Sequence, residues 1–272
     1  MWPCRRSKMG AAFVLGHNDV GREVVGLEAI DIITSGHICL NLSPRMDNIP
    51  LAALTIAGRL YETDALTVAL GGAAANTGLT LHYLGANVRL LSAVGDDLLG
   101  NVMVAALNEI DPDLSKALSI QTGLASPYTI LLAADEAPVS LYCPGTNITF
   151  GMSDVNFALL GTAKLFHLGY PSLLPQLLAN SGEELGAIYQ QAKTTGVVTS
   201  LDMCMPPPGV QVDWLKILSR TLPYVDVFVP NIVDALYIFR RADYDAWGAH
   251  YATHLTADYL AGLAMQILEL GP

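Results

Sequence analysis

The chain has 272 residues, with 25 acidic side chains against 14 basic ones and a formal charge of -11, so it lacks the basic surface that non-specific nucleic-acid binding requires. Hydrophobic residues make up 52% and charged residues 14%, which supplies a large core and argues against wholesale disorder. The four cysteines (Cys4, Cys39, Cys143 and Cys204) show no C-x-x-C or Cys/His zinc spacing, as expected of reduced thiols in a cytoplasmic protein.

In chain order, residues 1–30 show no period and read as a leader. Their apolar run Ala11 to Leu15 is too short for a signal-peptide core. Asp31 to Leu42 reads as a strand, and Pro44 to Leu70 as irregular strands. Gly71-Gly72 opens a helix with Ala75, Leu79 and Tyr83 four apart, and Gly85 is its stop. The uncharged stretch Ala65 to Val88 is broken by Gly71, Gly72, Asn76, Thr77, Gly78 and His82, so it is not a membrane span. Val88 to Val94 reads as a buried strand. Gly95-Asp96-Asp97 is a turn whose Asp caps an amphipathic helix bearing Leu99, Met103, Leu107 and Ile110.

Tyr128 to Ala134 and Val139 to Cys143 read as a hairpin around Asp135 to Pro138. Strands and helices then alternate: strands at 164–168, 196–202 and 225–229, helices at 173–193, 214–219, 231–240 and 255–265. Gln266 to Leu270 reads as the opening of one more strand, which suggests a truncated chain. The alternation predicts an α/β fold over 31–272, a mostly parallel sheet with helices on both faces, with ligands beyond the carboxyl ends of its strands.

Gly71-Gly72-Ala73-Ala74-Ala75-Asn76-Thr77-Gly78 is the strongest chemical feature. Glycines before a helix let the backbone approach a ligand, and Asn76 offers an amide to hydroxyl groups. A tight turn feeding a core helix is the alternative. A dinucleotide loop is disfavoured because the G-x-G-x-x-G spacing is absent. His250 and His254, four apart, are a surface pair rather than metal ligands, because no Cys or carboxylate pattern accompanies them.

Gly71-Gly72 with Asn76, then Gly85, then Gly95-Asp96-Asp97 and Gly100, resembles the first signature of the ribokinase (PfkB) family of carbohydrate kinases. The resemblance implies a small β lid, with strands within about 44–70 and 127–144, that excludes water during phosphoryl transfer. It implies ATP and Mg²⁺ as cofactors, a sugar or nucleoside as acceptor, and a homodimer through lid strands. It also implies acceptor binding by Asn41, Gly71, Gly72 and Asn76. The family has an acidic residue at the position of Asn41 here, and an amide cannot act as a charged acceptor.

Asn231 and Asp234 are similar to the family's Asn-x-x-Glu element, which implies support of metal and phosphates through water, unless Asn231 merely caps its helix. Asp202, closing a strand, is either a supporting carboxylate or a turn cap. Gly145-Thr146-Asn147 resembles a motif that follows the lid, or is an ordinary turn. The family's catalytic Gly-Ala-Gly-Asp run is absent from the 272 residues, which implies impaired kinase activity for this chain, or a non-catalytic sugar-binding or interaction protein derived from the kinase fold.

Overall fold

In this computed structural model the described residues are 29–46, 49–132 and 139–271. Residues 1–28 of the leader, and the turn Asp135 to Pro138, lie outside them. Strand β1 (Ile30–Gly36) leads into β2 (Cys39–Ser43), and β3 (Thr67–Gly71) leads into helix α1 (Gly72–Tyr83). β4 (Val88–Leu91) and β5 (Ala93–Gly95) precede α2 (Leu98–Ile110) and the short α3 (Pro112–Ser115). Next come β6 (Ser119–Gln121), β7 (Tyr128–Leu132), β8 (Val139–Cys143), α4 (Phe157–Leu160) and β9 (Ala163–Gly169). α5 (Pro175–Thr194), β10 (Val198–Asp202), α6 (Trp214–Thr221) and β11 (Val227–Val229) continue the alternation. α7 (Ile232–Phe239), α8 (Arg241–Trp247) and α9 (Ala257–Leu268) follow.

The main sheet is parallel, in the order β11-β10-β9-β1-β4. The chain winds one way from β1 to β4 and the other way from β9 to β11, so the sheet has a switch point beside β1. Alternating side chains build two cores. Ile32, Val88 and Leu90 face the α1 and α2 side with Ala74, Ala75, Met103 and Leu107. Ile33, Leu91, Phe166 and Leu168 face the other side with Leu185, Ile188, Tyr189 and Leu218. Burial of each such large side chain contributes about 1.5–3 kcal/mol. Among the described residues no helix is long and apolar enough to cross a membrane.

A second sheet, β3-β2-β7-β8, stands over the first. Its register places Asn41, Ala69, Thr129 and Tyr142 on one face. Leu42, Val68, Ile130 and Leu141 form a row on the other. The expected hairpin of 128–134 with 139–143 is β7 paired with β8.

Several expectations are corrected. Asp31 to Leu42 is two strands in two sheets, because Gly36 at φ +100° turns the chain out of the first. Val88 to Val94 likewise divides at Ser92, with β5 pairing β6 in a separate two-stranded sheet. Among its described residues, Pro44 to Leu70 contains a 3-10 turn at Leu51–Thr55 and one strand, all of β3 but its last residue, rather than several strands. The helix expected from Leu173 starts at Pro175 and is interrupted at Ala179 to Gly182. Gln266 to Leu270 is not a strand: α9, capped by Thr256, runs to Leu268, and Leu263, Ile267 and Leu270 pack on the core at helical spacing.

The turn after β5 shows why its glycines are needed. A Cβ on Gly100 would overlap the Gly95 carbonyl, and one on Gly95 would overlap the Leu124 carbonyl. Asp97 caps α2 by accepting from Gly100 N at 2.8 Å, and also accepts from Ser126 N at 2.9 Å and Ser126 Oγ at 2.6 Å. Burial alone would raise its pKa, but these bonds hold it below the usual carboxylate range. Replacing Asp97 with Ala removes the cap and strips the fully buried Ser126 of two partners, and we expect a loss of about 2 kcal/mol. Urea unfolding checks this: an unchanged midpoint would refute the bracing role of Asp97.

Candidate functional site

The carboxyl ends of the parallel strands open under the second sheet. There Gly36, closing β1, lies opposite Gly169, closing β9. A Cβ on Gly36 would overlap the Gly169 carbonyl, so only glycine lets the two strand ends meet. His37 follows. Its N–H donates to Gly169 O at 3.2 Å, and its own carbonyl accepts from Ala74 N, in the first turn of α1, at 3.0 Å.

This arrangement brings three of the predicted acceptor residues together. Asn41, half-buried on β2, lies so close to Gly71 that a Cβ there would overlap its side-chain amide. Gly72, at φ +87°, packs on His37, and a Cβ would stand 2.7 Å from His37 Nδ1. Asn76 lies one turn further along α1 and is exposed at the same end of the sheet.

A polar network ties this corner to β8. Asn147, fully buried, donates from Nδ2 to Ile38 O at 2.8 Å and to Tyr142 Oη at 3.0 Å. Its Oδ1 accepts from Ile38 N at 3.4 Å. The Tyr142 proton is then free for His37 Nε2, 3.1 Å away. His37 Nδ1 keeps no partner, and burial pushes the His37 pKa down to about 4, so the ring is neutral. The His37–Tyr142 pair carries no local motif signal, because the two are 105 positions apart. The signal available in sequence was Gly145-Thr146-Asn147, which serves here as a buried clamp.

The other end of the crevice holds carboxylates. Tyr170, just after β9, has φ +60°, uncommon for a residue with a Cβ, and donates its N–H to Asp202 O at 3.2 Å. Its ring lies 6.2 Å from that of His37. Ser172 Oγ is 2.8 Å from Cys204 Sγ, and burial pushes that thiol up to about 12. Asp202 closes β10 and accepts from Met203 N at 2.8 Å.

Asn231 and Asp234 start α7, where Asn231 Oδ1 accepts from Asp234 N at 2.9 Å and Asn231 Nδ2 donates to Asp234 Oδ2 at 2.6 Å. Asn231 is therefore the helix cap. The cap leaves Asp234 Oδ1 buried without a partner. Burial raises both Asp202 and Asp234 to about 6. An orphaned, buried carboxylate oxygen near a second carboxylate is an environment that a hard divalent cation fits. Among the described residues there is no cluster of three His, Cys, Asp or Glu, so water or a phosphate would complete any such shell. His250 and His254 lie outside this crevice in a 3-10 segment, and His254 stacks on Trp247 with ring centroids 4.6 Å apart.

Asp202 has a folded-state pKa above the unfolded carboxylate value of about 4, so its burial favours folding at low pH and opposes it as pH rises through about 6. In metal-free buffer at pH 7.5, Asp202→Asn should melt several degrees above the parent, and the gap should close near pH 4. Thermal melts over that range test it, and a variant less stable than the parent at pH 7.5 contradicts the reading.

The sequence profile of the pfkB family carbohydrate kinases matches residues 31–259. The chain is 22% identical over 180 residues to a probable fructokinase-2 of Arabidopsis thaliana, across 65% of this chain and 51% of that protein. It is 29% identical over 153 residues to fructokinase-1 of Oryza sativa subsp. japonica, across 54% and 46%. The chain thus spans about half the length of these curated relatives. Among solved structures, the ribokinase of Giardia lamblia matches with a TM-score of 0.64 and 19% identity, over 90% of this chain and 67% of that one. A ribokinase of Arabidopsis thaliana complexed with ribose and ATP matches with a TM-score of 0.65 and 14% identity, over 89% and 70%. These structures share the ribokinase-like fold.

Proposed function

Because the chain belongs to the pfkB family of carbohydrate kinases, we propose that it forms the acceptor-binding part of an enzyme that phosphorylates a sugar or related small alcohol with ATP. The observation that carries this is the contact of Asn41 and His37 with the Gly71-Gly72 turn at the sheet's switch point. Asn41 and Asn76 hold hydroxyl groups of the acceptor, and Gly71 and Gly72 let the backbone approach it. The second sheet covers the acceptor and keeps water from competing for the phosphoryl group. Asn231, Asp234 and Asp202 would hold Mg²⁺, largely through water. When bound, the ion neutralises charge on the phosphates.

In the transfer, a bond forms between the acceptor oxygen and the γ-phosphorus of ATP as the β–γ bridging bond breaks, and the hydroxyl proton passes to a base. The Gly-Ala-Gly-Asp run that would supply that base does not occur in the 272 residues. We therefore place efficient turnover outside what these residues do alone. Asn41 in the acidic position favours a second reading, a non-catalytic sugar-binding protein on the same scaffold. A cytoplasmic setting rests on Cys39, Cys143 and Cys204 being free thiols. A homodimer through the second sheet rests on its outward apolar row, where Val68 is 47% and Leu141 53% exposed.

Calorimetry with D-fructose, D-ribose and adenosine, beside a coupled assay for ADP, tests the proposal. We expect binding of at least one acceptor with negligible Mg²⁺-dependent ADP release. Robust turnover by the 272 residues overturns the inactivity, and no binding of any acceptor overturns the site. Gly71→Ala should displace the Asn41 amide and weaken binding by about tenfold or more, with the circular dichroism spectrum unchanged. Unaltered affinity in that variant would remove Asn41 from the acceptor site.

A further inference from the structure

One peptide group joins the two ends of the crevice. The link between Gly169 and Tyr170 accepts at its carbonyl from His37 N at 3.2 Å, and donates at its N–H to Asp202 O at 3.2 Å. His37 carries the acceptor corner, because Gly72 packs on it and Ala74 N donates to its carbonyl. Asp202 belongs to the carboxylate end, where the bond from Met203 N at 2.8 Å aims its side chain. A tilt of this one plane therefore moves both ends together or breaks a bond to one of them.

The residue that sets the plane is strained. Tyr170 has φ +60° and ψ +49°, in the left-handed region that costs energy when a Cβ is present. Pro171 follows it, and a residue before proline is pushed toward extended backbone. The relaxed alternative is thus an extended Tyr170. On its far side Pro171 and Ser172 are buried, and Ser172 Oγ lies 2.8 Å from Cys204 Sγ, so that side is anchored. Relaxation of Tyr170 must then tilt the peptide on its near side, away from His37 N and Asp202 O. Strain of this kind, held by the surrounding structure, clusters at ligand clamps and switches.

Two ligands favour the held state over the relaxed one. An acceptor at Asn41 and the Gly71-Gly72 turn needs His37 in place, since Gly72 packs on it. A divalent cation at Asp202 and Asp234 needs the end of β10 in place. Each ligand therefore meets part of the cost of holding Tyr170 left-handed, and the second to bind finds it already met.

We infer that Tyr170 is a positioning residue that couples the acceptor corner to the carboxylate pair, so that acceptor and divalent cation each bind more tightly in the presence of the other. This rests on the acceptor and cation sites proposed above, and adds how they act on one another. The coupling is reciprocal: the factor by which acceptor raises cation affinity equals the factor by which cation raises acceptor affinity.

The test titrates Mn²⁺, whose paramagnetic resonance signal reports the free ion, into the 272-residue chain at pH 7.5 with and without saturating D-fructose, D-ribose or adenosine. Cation affinity should rise about fivefold or more with an acceptor that binds, and calorimetry of that acceptor with and without Mn²⁺ should return the same factor. Tyr170→Gly removes the cost of the left-handed backbone, so the factor should fall to within about twofold of one. Tyr170→Asn, which enters that region more readily than Tyr, should lower the factor in the same direction, and guards against a Gly variant that does not fold. Tyr170→Ala loses the ring, 6.2 Å from that of His37, but keeps the Cβ, and should keep the coupling. A residue that only supports the fold would change both affinities and leave the factor alone. A bound acceptor that leaves Mn²⁺ affinity unchanged, or a factor that survives in Tyr170→Gly and Tyr170→Asn, overturns the inference and leaves the acceptor site standing. Loss of coupling in Tyr170→Ala as complete as in Tyr170→Gly assigns it to the ring and overturns the backbone account. If no acceptor binds, the acceptor site itself falls and the coupling with it; if Mn²⁺ does not bind, the cation site and the coupling fall together.

Discussion

The arrangement depends on a single residue, His37. Its N–H is bonded to the end of β9, its carbonyl to the first turn of α1, and its ring to Tyr142 of β8. Strand, helix and covering sheet are thereby fixed relative to one another at one residue. Gly36 makes this possible: with any side chain there, β1 could not end against Gly169, and the chain could not turn upward into β2. The geometry of the Gly71-Gly72 turn is a consequence, because Gly72 packs directly on His37 and Gly71 on Asn41.

The interior of this corner is polar. Asn147, His37 and Tyr142 satisfy one another and the Ile38 peptide, with His37 Nδ1 the exception. A network of this kind gives position rather than net stability, since its gain over hydration is modest while each broken link strands a buried group. It explains how a four-stranded sheet joined to the body through few elements keeps its polar face, with Asn41 and Tyr142, toward the crevice. A one-residue slip of β2 would exchange Asn41 for its apolar neighbours Leu40 and Leu42.

Much of this architecture is legible in the sequence where the physics is local. Glycines at 71, 72, 95 and 100 announce close approach, and the structure shows what each approaches. Asp97 and Asn231 announce helix starts, which they cap. The misreadings occur where a continuous apolar run hides a change of partner. At Gly36 and at Ser92 the chain leaves one sheet for another while remaining buried on both sides, so hydrophobicity carries no mark of the division. The run Gln266 to Leu270 looks like a strand because a short apolar stretch has no resolvable period, and only its continuity with Leu263 makes it helical. His37, Tyr142 and Tyr170 could not be found from sequence, since their association exists only through the β1–β9 register and the β7–β8 pairing. Motif resemblance points to Asn41, Asn76 and Asp234, and the fold puts all three at the same end of the sheet.

The distribution of charge completes the logic. Among the described residues, Lys164 pairs with Asp31 at 2.6 Å and Lys193 with Asp226 at 2.6 Å, toward the amino ends of the strands. Exposed pairs of this sort add little stability. They do place cations away from the carboxyl ends, where Asp202 and Asp234 stand in an environment that disfavours their charge. An acidic chain that concentrates unpaired carboxylates at its crevice repels a polyphosphate unless a cation intervenes. The same two groups that oppose folding when ionised would be relieved by such a cation, since both are carboxylates drawn out of water and Asp234 Oδ1 is left without a partner.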